Sequence, residues 1–174
     1  LLSYIDDKET RIKEQREKIK KFLPNLESMY KEAVENKTAE IFFGYNGMQN
    51  AFNLIINEFN PSDQYFAFGA GKGENTEKTQ IFFDKLHKER VKKRVKTHII
   101  FNESSRRLFK SQEKSNLVET RYLFELTPTA INIYKNYTII ALLVQDPITF
   151  LIRNKEIADS FKDYFNALWK TAKK

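Results

Sequence analysis

Three groups of residues have the types and spacing to do chemistry. Gly69-Ala70-Gly71-Lys72-Gly73 falls between an expected strand and an expected helix. A glycine-rich turn there presents backbone N–H groups and a helix N-terminus to an anion. The run matches neither G-x-G-x-x-G nor G-x-x-x-x-G-K-[ST], so a plain flexible loop stands as the alternative. The second group is the basic run Lys85, Lys88, Arg90, Lys92, Lys93, Arg94 and Lys96, interrupted by a single carboxylate, Glu89. Lys88, Lys92, Lys93 and Arg94 are its candidates for nucleic-acid phosphates, whose neutralisation releases counterions. No aromatic side chain is interleaved from Lys88 to Lys96, as a base-stacking surface needs. A charge run that ends a helix also serves as a solvated face favoured by the helix dipole. The third group centres on Asn132. In Ala130-Ile131-Asn132-Ile133-Tyr134, strand alternation sends Ile131 and Ile133 to one face and Asn132 with Tyr134 to the other. A neutral amide hydrogen-bonds a ligand without attacking it. Tyr45, Asn46, Gly69 and Thr129, at expected strand ends, would border the same crevice, with Gly71 and Lys72 on its loop. The alternative is a buried Asn bonded to backbone.

Metal and nucleophile sites are more weakly signalled, with a Ser-His-Asp or paired-carboxylate arrangement left open by the sequence. His87 and His98 form no His-x-x-x-His pair, and the chain has no cysteine, so a zinc site is not expected. No G-x-S-x-G nucleophile elbow occurs. No catalytic residue, metal ligand or cofactor site is assigned.

The elements that would hold these groups alternate short apolar runs with longer helical stretches, a mixed α/β pattern. Strands are expected at Ala39–Phe43, Gln64–Phe68, Thr97–Phe101 and Thr120–Phe124, with three more between Ala130 and Ile152. Helices are expected at Met48–Phe59, Thr76–Arg94 and Ser104–Gln112, the second with Ile81, Phe82 and Leu86 on its inner face. Asn154 should cap a last helix whose stripe is Ile157, Phe161, Tyr164, Phe165, Leu168 and Ala172. At 174 residues, 41% hydrophobic and 30% charged, the chain suits one compact core with a solvated helical appendage. The longest apolar run, Ile139 to Val144, falls far short of the roughly 18 residues that a membrane-spanning helix needs, and a soluble, cytoplasmic protein is expected. Without cysteine there is no disulfide framework.

The N-terminal segment is read as a dimerisation arm, residues 1–36. Ile5, Ile12, Ile19 and Leu26 recur every seven residues and so share one helical stripe, flanked by Leu1, Phe22 and Met29. Lys8 and Gln15 weaken the second row, and Pro24 should kink or end the helix near Lys21. Self-association about a twofold axis and packing on the chain's own domain are the two readings of the stripe.

From Thr129 to Trp169 the chain reads as two tightly joined strands, a third strand after Asp146-Pro147, and a closing amphipathic helix. That helix begins Asn154-Lys155-Glu156-Ile157-Ala158-Asp159-Ser160-Phe161 and continues to Phe165-Asn166-Ala167-Leu168-Trp169. This ending resembles that of the C-terminal, phospholipase-D-like module of the archaeal TrmB-type transcription regulators. The resemblance implies an α/β fold over residues 37–174, a phospholipase-D-like mixed sheet flanked by helices and preceded by a coiled-coil-like helix. Phospholipase-D-type enzymes carry a His-x-Lys-x-x-x-x-Asp motif whose His attacks phosphorus. Neither His87 nor His98 has Lys two residues on, and Pro128 to Asn136 contains no His; Asn132 lies where the motif would be. The resemblance therefore implies the fold without the chemistry, and an enzyme is not expected. It further implies an effector-sensing and dimerisation domain of a DNA-binding transcription regulator: a homodimer with a small-molecule effector. DNA would be read by a winged helix of about 70–100 residues preceding Leu1. The alternatives are a stand-alone nucleic-acid-binding module that uses the basic run, and a divergent phosphodiesterase.

Overall fold

The computed structural model describes residues 8, 9, 11–24, 39–110, 115–124 and 129–174. The chain divides into two compact units, Leu1–Lys37 and Thr38–Lys174. In the first, residues 8, 9 and 11–24 are helical (α1). Ile12 and Ile19 are exposed along α1, as are Phe22 and Leu23. Pro24 does not end the helix near Lys21: residues 21–24 are helical, and Pro24 is the last described residue there. Ile5 and Leu26 lie outside the described residues.

The second unit is built on apolar strands that alternate between two buried faces. Its elements in order are β1 (Ala39–Phe43), α2 (Gly44–Asn57), β2 (Gln64–Ala70), α3 (Thr76–Lys92), β3 (Lys96–Asn102), a 3-10 turn (Glu103–Ser105), α4 (Arg106–Phe109), β4 (Val118–Leu123), β5 (Thr129–Tyr134), β6 (Tyr137–Leu142), β7 (Ile148–Arg153) and α5 (Lys155–Thr171). They form one seven-stranded mixed sheet in the order β1-β7-β6-β5-β2-β3-β4. β2, β3 and β4 run parallel, and the remaining pairs are antiparallel.

Alternation sorts β2 cleanly. Tyr65 and Ala67 enter the core shared with α2 and α3, where Phe52 meets Phe82 and Phe83 edge-on. Phe66 and Phe68 enter the smaller core under α5, around Phe165. β5 obeys the same rule: Ile131 and Ile133 face α5, and Tyr134 lies in the other core. The capping expected for α5 is present, with Asn154 Oδ1 accepting the N–H of Ile157 at 3.0 Å.

Several element expectations are corrected. α2 starts at Gly44, four residues early, because Gly44 N–H donates to the carbonyl of Pro147 at 2.7 Å and fastens the first turn to the β6–β7 connection. Tyr45 and Asn46 therefore sit in the first turn of a helix rather than on a strand end. Ile81 is 63% exposed; the inner stripe of α3 is Thr79, Phe82, Phe83, Leu86 and Arg90, one side of a helix. The expected helix from Ser104 is a 3-10 turn followed by four α-helical residues. In α5, Ile157 and Tyr164 are exposed, while Ala158 and Phe165 make the seal.

Candidate functional site

The sheet pairing gathers one set of strand ends along a common edge. β2, β3 and β4 finish there at Ala70, Asn102 and Leu123, while β5 begins at Thr129 opposite the last residue of β6, Leu142. Gly69 lies in a bulge between Phe68 and Ala70, at φ 69°, a left-handed conformation that glycine adopts without strain. Beyond it the chain passes close to β3: a Cβ on Gly71 would lie 3.2 Å from Asn102 Nδ2. Asn102 is buried at the end of its strand. In the next turn Ser105 is also buried, and its Oγ has no hydrogen-bond partner among the described residues.

The glycine-rich loop is a fitted connection rather than a slack one. Glu74 N–H donates to the carbonyl of Leu143 at 2.9 Å, and the Glu74 carboxylate accepts the N–H of Gln145 at 2.9 Å. Gly73, at φ 67°, leaves no room for a side chain, since a Cβ would lie 2.6 Å from Thr79 Oγ1. The Tyr45 hydroxyl lies 3.1 Å from that same Oγ1 and donates to the carbonyl of Asn75 at 3.4 Å. Asn75 Oδ1 in turn accepts the N–H of Lys78 and caps α3. Lys72 and Asn46 are exposed beside this assembly.

Gly69, Gly71 and Thr129 thus share an edge with Tyr45, and Asn132 does not join them. Three residues into β5 at about 3.4 Å each, Asn132 sits roughly 10 Å below Thr129. It is 3% exposed, and its Oδ1 accepts the Tyr65 hydroxyl at 2.8 Å, while its Nδ2 has no partner among the described residues. Arg90 is 2% exposed and lies with its guanidinium 4.6 Å from the centre of the Tyr65 ring, a cation–π contact deep in the core. Burial, opposed by that guanidinium, pushes Tyr65 up to about 12. Burial pulls Arg90 down from its ordinary range, with Tyr65 opposing. Asn102 and Ser105 escaped the sequence reading. The signal that marks them is Asn102-Glu103-Ser104-Ser105, hydrogen-bonding residues where a strand hands over to a helix.

The opposite edge is tied by a polar cluster. Tyr134 donates to Asp63 Oδ2 at 2.5 Å and lies 2.6 Å from the carbonyl of Glu58; Tyr137 donates to Glu58 Oε1 at 2.5 Å; Lys135 Nζ lies 3.1 Å from Asp63 Oδ2. Burial, reinforced by the neighbouring carboxylates, pushes Tyr134 and Tyr137 each up to about 12. Burial would raise Asp63, but the bonds from Tyr134 and Lys135 outweigh it and hold it below the usual carboxylate value.

The basic run lies toward this second edge, since α3 ends at Lys92 and β3 begins at Lys96. It is not one solvated face. Arg90 is in the core, and Lys93 Nζ donates to the carbonyl of Ile56 at 2.9 Å; Lys88, Lys92 and Arg94 are exposed. His87 is on α3. His98, on β3, stacks on Phe66 and meets Trp169 edge-on. Neither is at the Gly69–Thr129 edge. Burial lowers both below the ordinary imidazole value, helped at His87 by Arg90 and opposed at His98 by Glu119. Among the described residues no cluster of three or more metal-ligating side chains occurs, and no helix is long and apolar enough to cross a membrane.

No family model matches the chain, and no curated protein matches it in sequence. Solved structures do. TrmBL2, an archaeal chromatin protein whose structure shows a novel mode of DNA binding, is similar over 99% of this chain and 68% of its own, at 20% identity and a TM-score of 0.55. Nuc from Salmonella typhimurium, a phospholipase D family member, is similar over 78% of this chain and 95% of its own, at 14% identity and a TM-score of 0.53. NucT from Helicobacter pylori is similar over 77% of this chain and 96% of its own, at 9% identity and a TM-score of 0.50. The expectation that the chain is not an enzyme is corrected by these likenesses. Its fold is shared with a phospholipase D family member, a likeness of fold at 14% identity that says nothing of catalytic residues in this chain. The fold is a phospholipase-D-like mixed sheet flanked by helices, shared with TrmBL2.

Proposed function

We propose that this chain is the effector-sensing and dimerisation part of a DNA-binding regulatory protein, with DNA read by residues outside it. The observation that carries this reading is the likeness to TrmBL2, which extends over 99% of this chain yet leaves part of that DNA-binding protein unmatched. The exposed Ile12 and Ile19 of α1 support a self-associating arm in which Ile5 and Leu26 continue the same stripe. The effector crevice is the edge bordered by Gly69, Gly71 and Thr129, with Tyr45, Asn46 and Lys72 beside it. Asn132 lies beneath that edge, and its bond to Tyr65 runs toward the opposite end of the sheet. Titration of labelled duplex DNA with residues 1–174 tests the division of labour. The expected result is weak binding, indifferent to sequence, that fades between about 50 and 200 mM salt. Tight, sequence-selective binding would place DNA reading in this chain, on Lys88, Lys92 and Arg94.

The fold shared with Nuc favours a second reading, cleavage of a phosphodiester at the same edge. Turnover of bis-p-nitrophenyl phosphate that falls with Asn102→Ala, beside His87→Ala and His98→Ala as controls away from the edge, is the outcome it requires.

A further inference from the structure

β1 closes one side of the sheet, bonded to β7 and to no strand beyond it among the described residues. Open edges of this kind are usually guarded by lysine, proline, a bulge or an inward-pointing charge. Of these Ala39-Glu40-Ile41-Phe42-Phe43 has only Glu40, and the strand pairs with β7 in unbroken register. The register sets Ile41 beside Phe150 and Phe43 beside Ile148. These side chains share the sheet face of α5, which packs mainly on β2, β5 and β6 and leaves the β1 end open. Ile41 is 55%, Phe43 70% and Phe150 38% exposed. With roughly 150–250 Å² for each aromatic ring, the three leave on the order of 300 Å² of apolar surface, the scale that marks interaction sites.

We propose that β1 pairs antiparallel with β1 of a second copy of this chain, about a twofold axis at Ile41. The sequence of the strand selects this occupant. A register centred on Ile41 sets it against the partner's Ile41 and sets the large Phe43 against the partner's small Ala39. It also sets Glu40 against the partner's Phe42, so the two like charges are not opposed. The main-chain groups of the edge find partners, and the apolar patches of both copies meet across the axis. The patch and strand together supply a good part of the roughly 800 Å² per partner of a stable interface. This contact makes no use of α1.

The chain has no cysteine, so single replacements place unique thiols on the strand. Ile41→Cys and Glu40→Cys are compared under mild oxidation, each in the parent and in an Ile12→Asp/Ile19→Asp background. Residues paired across the axis have Cα atoms about 4.5–5.5 Å apart, within disulfide reach, whereas position 40 faces its own counterpart at more than about 7 Å. The expected result is covalent dimer forming roughly tenfold faster at position 41 than at position 40, in both backgrounds. In the arm variant, Ile41→Lys should convert dimer to monomer in sedimentation while the circular dichroism spectrum is kept. Equal rates at the two positions, loss of cross-linking once the arm is altered, or an arm variant already monomeric because its own chain covers the edge would each overturn the proposal.

Discussion

The two ends of the sheet use polar residues in opposite ways. Around Tyr134 and Tyr137 both tyrosine hydroxyls find a carboxylate or carbonyl, and Lys135 closes the group on Asp63. That end ties the last turn of α2 to the start of β2 and to the β5–β6 hairpin. Around Gly69 and Thr129 the chain instead brings glycine backbone against Asn102 and buries the Ser105 hydroxyl without a partner among the described residues. A satisfied network stabilises, whereas an unsatisfied buried group is a cost that a fold retains where something else uses the group. On the function proposed above, the tyrosine end serves stability and the glycine end is where a ligand would make contact.

The largest effect should come from filling the glycine end. Gly73→Ala forces a Cβ to within 2.6 Å of Thr79 Oγ1 at a positive φ, so strain and overpacking add. The expected loss is about 2–4 kcal/mol of unfolding free energy, read by urea denaturation. A variant as stable as the parent would mean that the loop is slack and the comparison misplaced. Next comes Tyr65→Phe, which removes the hydrogen bond that the buried Asn132 accepts. Leaving that amide unsatisfied at both ends costs about 1–3 kcal/mol, and Tyr65→Phe/Asn132→Leu should recover much of it.

At the tyrosine end, Tyr134→Phe should cost about 1 kcal/mol, modest because Asp63 is partly solvated. The pH dependence carries more information. Tyr134 rises from 10.0 to about 12 on folding, so its contribution is complete below pH 10 and is lost as pH climbs toward 12. Asp63 moves the other way: its contribution is present above its ordinary value of 3.8 and is lost as pH falls through the lower folded value. Base melting followed by circular dichroism should be shallower in Tyr134→Phe than in the parent.

The fold was legible where local and tertiary signals agree. β1 begins and ends at Ala39 and Phe43 as its pattern indicates, and Asn154 caps α5 because its side chain needs only its own next turn. What escaped depends on contacts distant in sequence. Gly44-Tyr45-Asn46-Gly47 has the composition of a turn and becomes helix because Pro147 accepts the first N–H. Arg90 reads as one charge in a run, yet only the tertiary fold supplies the Tyr65 ring that holds it in the core. Alternation assigned Asn132 its face correctly, but a period of two says nothing about depth along the strand, and depth separates Asn132 from the edge residues.

The smallest expected stability effect is the sharpest test of the comparison. Ser105→Ala removes a buried hydroxyl that has no partner among the described residues, so no protein hydrogen bond is lost and an unmet desolvation cost disappears. Thermal unfolding should leave the variant within about 0.5 kcal/mol of the parent, or slightly above it. Asn102, the neighbouring edge residue, already has a partner, so Asn102→Ala should lower stability where Ser105→Ala does not. If the glycine end is where a ligand binds, a compound that stabilises the parent in a thermal-shift screen should lose its effect in Ser105→Ala despite that unchanged baseline. A variant that is clearly destabilised without ligand would show that the hydroxyl is already engaged in the fold. The two ends of the sheet would then be alike.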